Sequence, residues 1–140
     1  MELYQKTASE LSDMLRKKEC SAAEITSSVI SRIEQKEGEV GAYVTLCKEQ
    51  ALHNAEQVDE KLASGEELPA LAGIPVGVKD NICTKDVLTT CSSKMLHNFV
   101  PPYSATAYRK LEASGSVMVG KCNMDEFAMG SSTETSSIKK

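Results

Sequence analysis

Tryptophan is absent from this chain, and the few tyrosines and phenylalanines bring the aromatic fraction to only 4%. Single-stranded nucleic acid is usually gripped by stacking bases on exposed rings, so the composition argues against such a platform. Positive charge is also scarce: 16 lysines and arginines face 20 aspartates and glutamates, a net charge of -4. That balance argues against a nucleic-acid surface built on net basic charge. No apolar run approaches ~18 residues, so no helix of membrane-spanning length is predicted. The opening Met1-Glu-Leu-Tyr-Gln-Lys6 lacks the basic-then-apolar order of a secretory leader. The five cysteines (Cys20, Cys47, Cys83, Cys91 and Cys122) are scattered, odd in number and never arranged as C-x-x-C. This disfavours a zinc site or a disulfide framework, and reduced thiols in a cytoplasmic protein fit best. Walker-type and G-x-G-x-x-G phosphate loops are missing, and no serine sits in a Gly-x-Ser-x-Gly turn.

What remains is an ordinary globular composition, 41% apolar and 26% charged, over 140 residues, enough for one small domain with a real core. Up to about residue 65 the pattern is helical. Thr7-Ala-Ser-Glu10 and Ser21-Ala-Ala-Glu24 are capping boxes, a hydroxyl followed three residues later by a glutamate. Ala8, Leu11, Met14 and Leu15 share one face of the first helix; Ile25, Val29, Ile30 and Ile33 share one of the second, with Gly38 as its expected stop. Tyr43-Val-Thr-Leu46 reads as a short extended link. A third helix carries Ala51, Leu52, Ala55, Val58 and Leu62 inward and ends at Gly65, with His53 on its polar side as a surface residue. The pattern then changes at Glu66-Glu-Leu-Pro69.

Leu71-Ala-Gly-Ile-Pro-Val-Gly-Val-Lys-Asp-Asn-Ile82 has a short β-branched heart, Ile74 to Val78, which reads as a buried strand. Lys79 stands where the strand gives way to a polar turn, and carboxyl ends of strands in α/β sheets are where ligands collect. A lysine pressed against an apolar strand loses hydration of its ammonium, which favours the free amine and lets it act as a base; equally, it can lay its stem along the sheet and reach solvent. Residues 83–103 are turn-rich, with Cys83 and Cys91 read as buried structural thiols. Ser104 is the expected N-cap of a helix containing Ala107, Tyr108 and Leu111, stopped by Gly115. Val117-Met-Val119 is a second strand, and strand, helical crossover, strand predicts a parallel pair. Asp125-Glu126 reads as a capping or surface feature. The hydroxyl-rich Ser131-to-Ser137 loop serves either to bind a ligand or as a solvated turn. The fold class is α/β.

Leu71–Ile82, together with Thr89-Thr-Cys-Ser-Ser-Lys-Met-Leu96, Phe99-Val-Pro-Pro-Tyr103 and Gly120-Lys-Cys-Asn-Met-Asp-Glu-Phe-Ala-Met-Gly-Ser-Ser-Thr-Glu134, resembles the amidase signature family. Within that family the Thr89–Leu96 and Gly120–Glu134 blocks resemble its tRNA-dependent amidotransferase branch. The resemblance implies that residues 1–140 are part of an amidase domain, a helical region at 1–65 followed by the start of the core at 66–140. N-terminal helices would lead into the first strands of a mixed sheet that is incomplete here. It implies Lys79 as catalytic lysine, sharing a proton with a cis-peptide serine that activates a nucleophilic serine, and Met129, Gly130 and Ser131 as lining the substrate pocket. Both serines and the oxyanion hole are expected beyond Ser136-Ser-Ile-Lys-Lys140, so these residues alone are expected to be inactive, with open strand edges prone to association. The implied reaction is hydrolysis of glutamine to ammonia, passed on to amidate mischarged Glu-tRNA(Gln) or Asp-tRNA(Asn). The implied partners are amidotransferase subunits B and C. ATP and Mg²⁺ would be used by the assembled complex and no cofactor or metal held by this chain. Two other readings are an amide hydrolase of the same family acting without tRNA, and a non-catalytic remnant serving as an interaction module.

Overall fold

The two capping boxes form as their spacing predicts. Thr7 Oγ1 accepts from the Glu10 N–H at 3.2 Å while the Glu10 carboxylate takes the Thr7 N–H at 2.7 Å. Ser21 and Glu24 repeat the exchange at 3.0 and 2.8 Å. Each satisfies donors that a helix start would otherwise leave open. They begin α1 (Ala8–Arg16) and α2 (Ala22–Val40) in the computed structural model, which describes residues 2–139. The helix α2 runs through Gly38 and stops instead at Gly41, whose φ of +61° is the left-handed cap that glycine adopts without a Cβ penalty. Gly38 therefore sits inside the last turn, and the stop signal belonged to the next glycine.

The expected link at Tyr43–Leu46 is a strand, β1, and α3 (Lys48–Ala63) follows at once. The chain continues through β2 (Pro75–Lys79), α4 (Thr106–Ala113) and β3 (Val117–Cys122). The sheet order is β1-β3-β2, with β3 parallel to β2, as the crossover grammar predicts, and antiparallel to β1. Ile25, Ala51, Ala55, Val117 and Val119 form the centre of one apolar cluster between the helices and the sheet. Val78, Val87, Tyr108 and Met118 form a second, smaller one. Ala8, placed on one face with Leu11, Met14 and Leu15, is exposed. Ser104 does not cap α4. Its hydroxyl accepts the Lys85 N–H at 2.9 Å, and Ala105 holds the cap position without a side-chain bond. Among the described residues no helix is long and apolar enough to cross a membrane.

The pairing of β2 with β3 is interrupted once. Val76 faces Met118 but Gly77 faces Gly120, so one extra residue is inserted in β3. A single inserted residue turns over the alternation of side chains beyond it. Lys121 consequently lies opposite Val78, not in continuation of the Val117–Val119 face.

Candidate functional site

Lys79 is the last residue of β2 and is exposed, as is Gly77 two residues earlier, while Val78 between them is buried. The face that Gly77 and Lys79 share is crowded nearby. A Cβ at Gly77 would lie 2.7 Å from Cys122 Sγ and 3.3 Å from Tyr43 Oη. Cys122 is the register partner of Lys79. Burial pushes both the Cys122 thiol and the Tyr43 hydroxyl up, so each keeps its proton at neutral pH.

Beneath Lys79 the turn is held by charge and hydroxyls. Asp80 is fully buried. Its Oδ2 accepts from the Thr90 N–H at 3.0 Å, from the Ser92 N–H at 3.3 Å and from the Thr90 hydroxyl. Its own N–H donates to Cys122 O, and its C=O accepts from the Cys91 N–H. Lys121, also fully buried, donates to Ile82 O and to Thr89 Oγ1, both at 2.8 Å, and lies 3.8 Å from Asp80 Oδ1. Burial pushes the Lys121 ammonium down, and the Asp80 carboxylate opposes it. To follow this path, Cys91 and Ser92 adopt left-handed φ of +51° each. Cys91 is half-buried and so is Cys83, whose thiol reaches Tyr103 Oη at 3.6 Å; neither is the closed core thiol expected from sequence.

A second loop closes against the first. Asp125 is no surface feature: it is 6% exposed and gathers the hydroxyl-rich loop onto its carboxylate. Oδ2 accepts from the Ser132 and Thr133 N–H groups at 3.0 and 2.8 Å; Oδ1 accepts from the Thr135 N–H at 3.1 Å and its hydroxyl at 2.8 Å. The Thr133 N–H, then the Thr135 hydroxyl and the remaining amides, hold this carboxyl below the usual aspartate range. Gly130 fits because it has no Cβ; one would lie 2.6 Å from Asp125 Oδ1. Met129, Gly130 and Ser131 form the exposed outer turn of this loop. The two loops are tied together where Ser93 donates to Glu126 at 2.5 Å, Ser92 donates to Asn123 at 3.0 Å and the Phe127 N–H reaches Cys91 O at 3.0 Å.

Lys79 and the Met129–Ser131 turn therefore sit on joined loops beyond the carboxyl ends of two parallel strands, the place where α/β sheets collect ligands. Among the described residues no hydrogen bond joins Lys79 to that turn, and no cluster of three or more His, Cys, Asp or Glu could hold a metal ion. His53 is exposed, and its hydrogen-bond partner among the described residues is Gln57. Sequence reasoning missed Lys121 and Asp80. Their only signal was that Lys121, like Lys79, follows a short apolar strand.

The chain belongs to the amidase family, whose model ("Amidase") matches residues 24–140. Among curated relatives, it is 58% identical over 136 residues to the A subunit of glutamyl-tRNA(Gln) amidotransferase from Desulforamulus reducens, covering 97% of this chain and 28% of that protein. The protein of the same name from Moorella thermoacetica is also 58% identical, over 138 residues, 99% of this chain and 28% of its own length. The chain thus spans little more than a quarter of those relatives. Among solved structures, the peptide amidase of Stenotrophomonas maltophilia superposes with a TM-score of 0.83 at 27% identity, covering 88% of this chain and 26% of its own. A chain from a vestigial protein complex linked to the origins of an s-triazine catabolic enzyme reaches 0.91 at 30% identity, covering 96% and 30%.

Proposed function

We propose that this chain is the N-terminal part of the A subunit of a glutamyl-tRNA(Gln)/aspartyl-tRNA(Asn) amidotransferase. One observation carries the reading: identity to proteins of that name is 58% over nearly the whole chain, against 27–30% for the peptide amidase and the s-triazine-linked chain. The activity is hydrolysis of glutamine in the cytoplasm, yielding ammonia that converts the mischarged aminoacyl-tRNA to its amide during protein biosynthesis. Subunits B and C complete the assembly, and ATP with Mg²⁺ activates the acceptor carboxyl there.

In this reading Lys79 is the base. Its amine receives the proton that a serine relay withdraws from the nucleophilic serine, and returns it to the departing ammonia. Both serines belong to sequence following this chain. The exposed position of Lys79 at a strand end leaves its amine free to meet them. Met129, Gly130 and Ser131 form one wall of the glutamine pocket, shaped by the hold of Asp125 on the loop.

The test is the natural gene product. Its coding sequence is read past codon 140, the full product is assembled with subunits B and C, and glutamine hydrolysis is measured for the natural sequence and for Lys79→Ala. A product several times longer, with glutaminase activity that falls by at least about 10³-fold in Lys79→Ala, is the expected result. A natural stop at Lys140, or activity that survives the substitution, would overturn it.

A further inference from the structure

We propose that Lys121 is a positioning residue for Lys79, its buried ammonium fixing the turn from which Lys79 projects. This rests on the reading of Lys79 as the base.

The connection runs through one short path. The Lys79 carbonyl accepts the Ile82 N–H at 3.0 Å, closing the turn, and the Ile82 carbonyl in turn accepts Lys121 Nζ at 2.8 Å. Thr84 Oγ1 adds a second donor to that same carbonyl at 3.2 Å. Lys121's other bond goes to Thr89 Oγ1, whose hydroxyl in turn donates to Val87 O at 3.1 Å, so the hydroxyl has a single orientation. The ammonium also lies 3.8 Å from Asp80 Oδ1, a buried oxygen with no hydrogen-bond partner among the described residues. Asp80 is the residue next to Lys79. One ammonium thus grips the turn on both sides: at Ile82 through its carbonyl, and at Asp80 through charge.

An apolar residue would serve this position better if packing were its purpose. Removing a lysine from water is costly, and a buried ion pair is often matched or exceeded in stability by apolar residues of similar volume. What an apolar residue cannot supply is a hydrogen-bonded hold on the Ile82 carbonyl. A base must sit within hydrogen-bond reach of the proton it takes, and displacement by about 1 Å can cost about a hundredfold in rate.

The experiment compares Lys121→Met, which keeps the stem and loses the ammonium, with Thr89→Val and Thr89→Ser, which remove and retain one of its acceptors. In the full-length protein, amide exchange at Ile82 and Cys91 is expected to speed up by about tenfold or more in Lys121→Met and in Thr89→Val, while Ala51 and Ala55 in α3 keep their protection. Thr89→Ser restores the slow exchange. In the full-length protein, bound to subunits B and C, kcat for glutamine hydrolysis falls by about 10- to 100-fold in the first two variants with KM nearly unchanged, and Thr89→Ser recovers it. Unchanged exchange at Ile82, or a loosened turn with unchanged kcat, overturns the role of Lys121 alone. If Lys121→Met does not fold, the Thr89 pair decides the same question. Absence of glutaminase in the unsubstituted assembly overturns the reading of Lys79 itself, and with it the role of Lys121.

Discussion

The two halves of this molecule are held by different forces. Between α1, α2, α3 and the sheet, Leu11, Leu15, Ile25, Ala51, Ala55, Val117 and Val119 are buried against one another. Around and beyond the strand ends, the buried polar groups are Asp80, Thr84, Thr89, Thr90, Ser92, Ser93, Lys121, Asp125 and Ser136. The first half is stabilised by removing apolar area from water, which tolerates variation in geometry. The second depends on directed bonds whose loss leaves a buried polar group unsatisfied, so it has fewer acceptable arrangements. A surface that must hold side chains to a fixed position gains from the second kind of construction.

The largest effect should come from breaking the polar half at its charge. Asp80→Ala removes the acceptor for two N–H groups and a hydroxyl and leaves Lys121 buried and uncompensated, at a cost of about 3–5 kcal/mol. Urea unfolding measures it. The variant should recover part of this loss as pH rises. With its folded pKa lowered, Lys121 releases its proton in the native state before it does so in the unfolded chain, and stability climbs between that value and the ordinary lysine range of about 10.4. The neighbouring thiols of Cys83, Cys47 and Cys91 act on this ammonium in the same sense as Asp80, against the depression by burial.

In the apolar half, Ile25→Ala should cost about 3 kcal/mol, since Ile25 is fully buried and its cavity can close only partly. The contrast lies in the pH dependence: the unfolding midpoint of Ile25→Ala should shift equally at all pH values where that of Asp80→Ala varies. Ser21→Ala, which opens the α2 cap, should cost about 1 kcal/mol by the same measurement. The smallest global effect belongs to Asp125. Its folded pKa is depressed, so its hold on the loop is complete above the unfolded carboxyl value of about 3.9 and is lost as pH falls through the lower folded value. Acid titration followed at the Ser132, Thr133 and Thr135 amides should show the loop opening there, and Asp125→Asn should show it already loosened at neutral pH.

The difference between the halves also governs how much could be read without coordinates. Thr7, Ser21 and the stripes on α2 and α3 act through neighbours three or four residues away, so local spacing was enough to place them. The parallel pair followed from its crossover, and the lysine block pointed to the family. The partners of Asp80 lie 10 and 12 residues away in Thr90 and Ser92, and Lys121 reaches Thr89 across 32 residues. No local period connects them. Tyr43–Leu46 has too few residues to distinguish a link from a strand until β3 is beside it.

By itself, then, the sequence determined the helices, the apolar stripes of α2 and α3, the strand that carries Lys79 and the kinship of its motifs, because each depends on residues close along the chain. Only the tertiary structure decided that Lys121 is buried beneath that strand and that Asp125 gathers its loop. An extra residue in β3 turns over the side-chain alternation, and a buried charge is stable only where distant hydroxyls, carbonyls and an opposite charge converge on it.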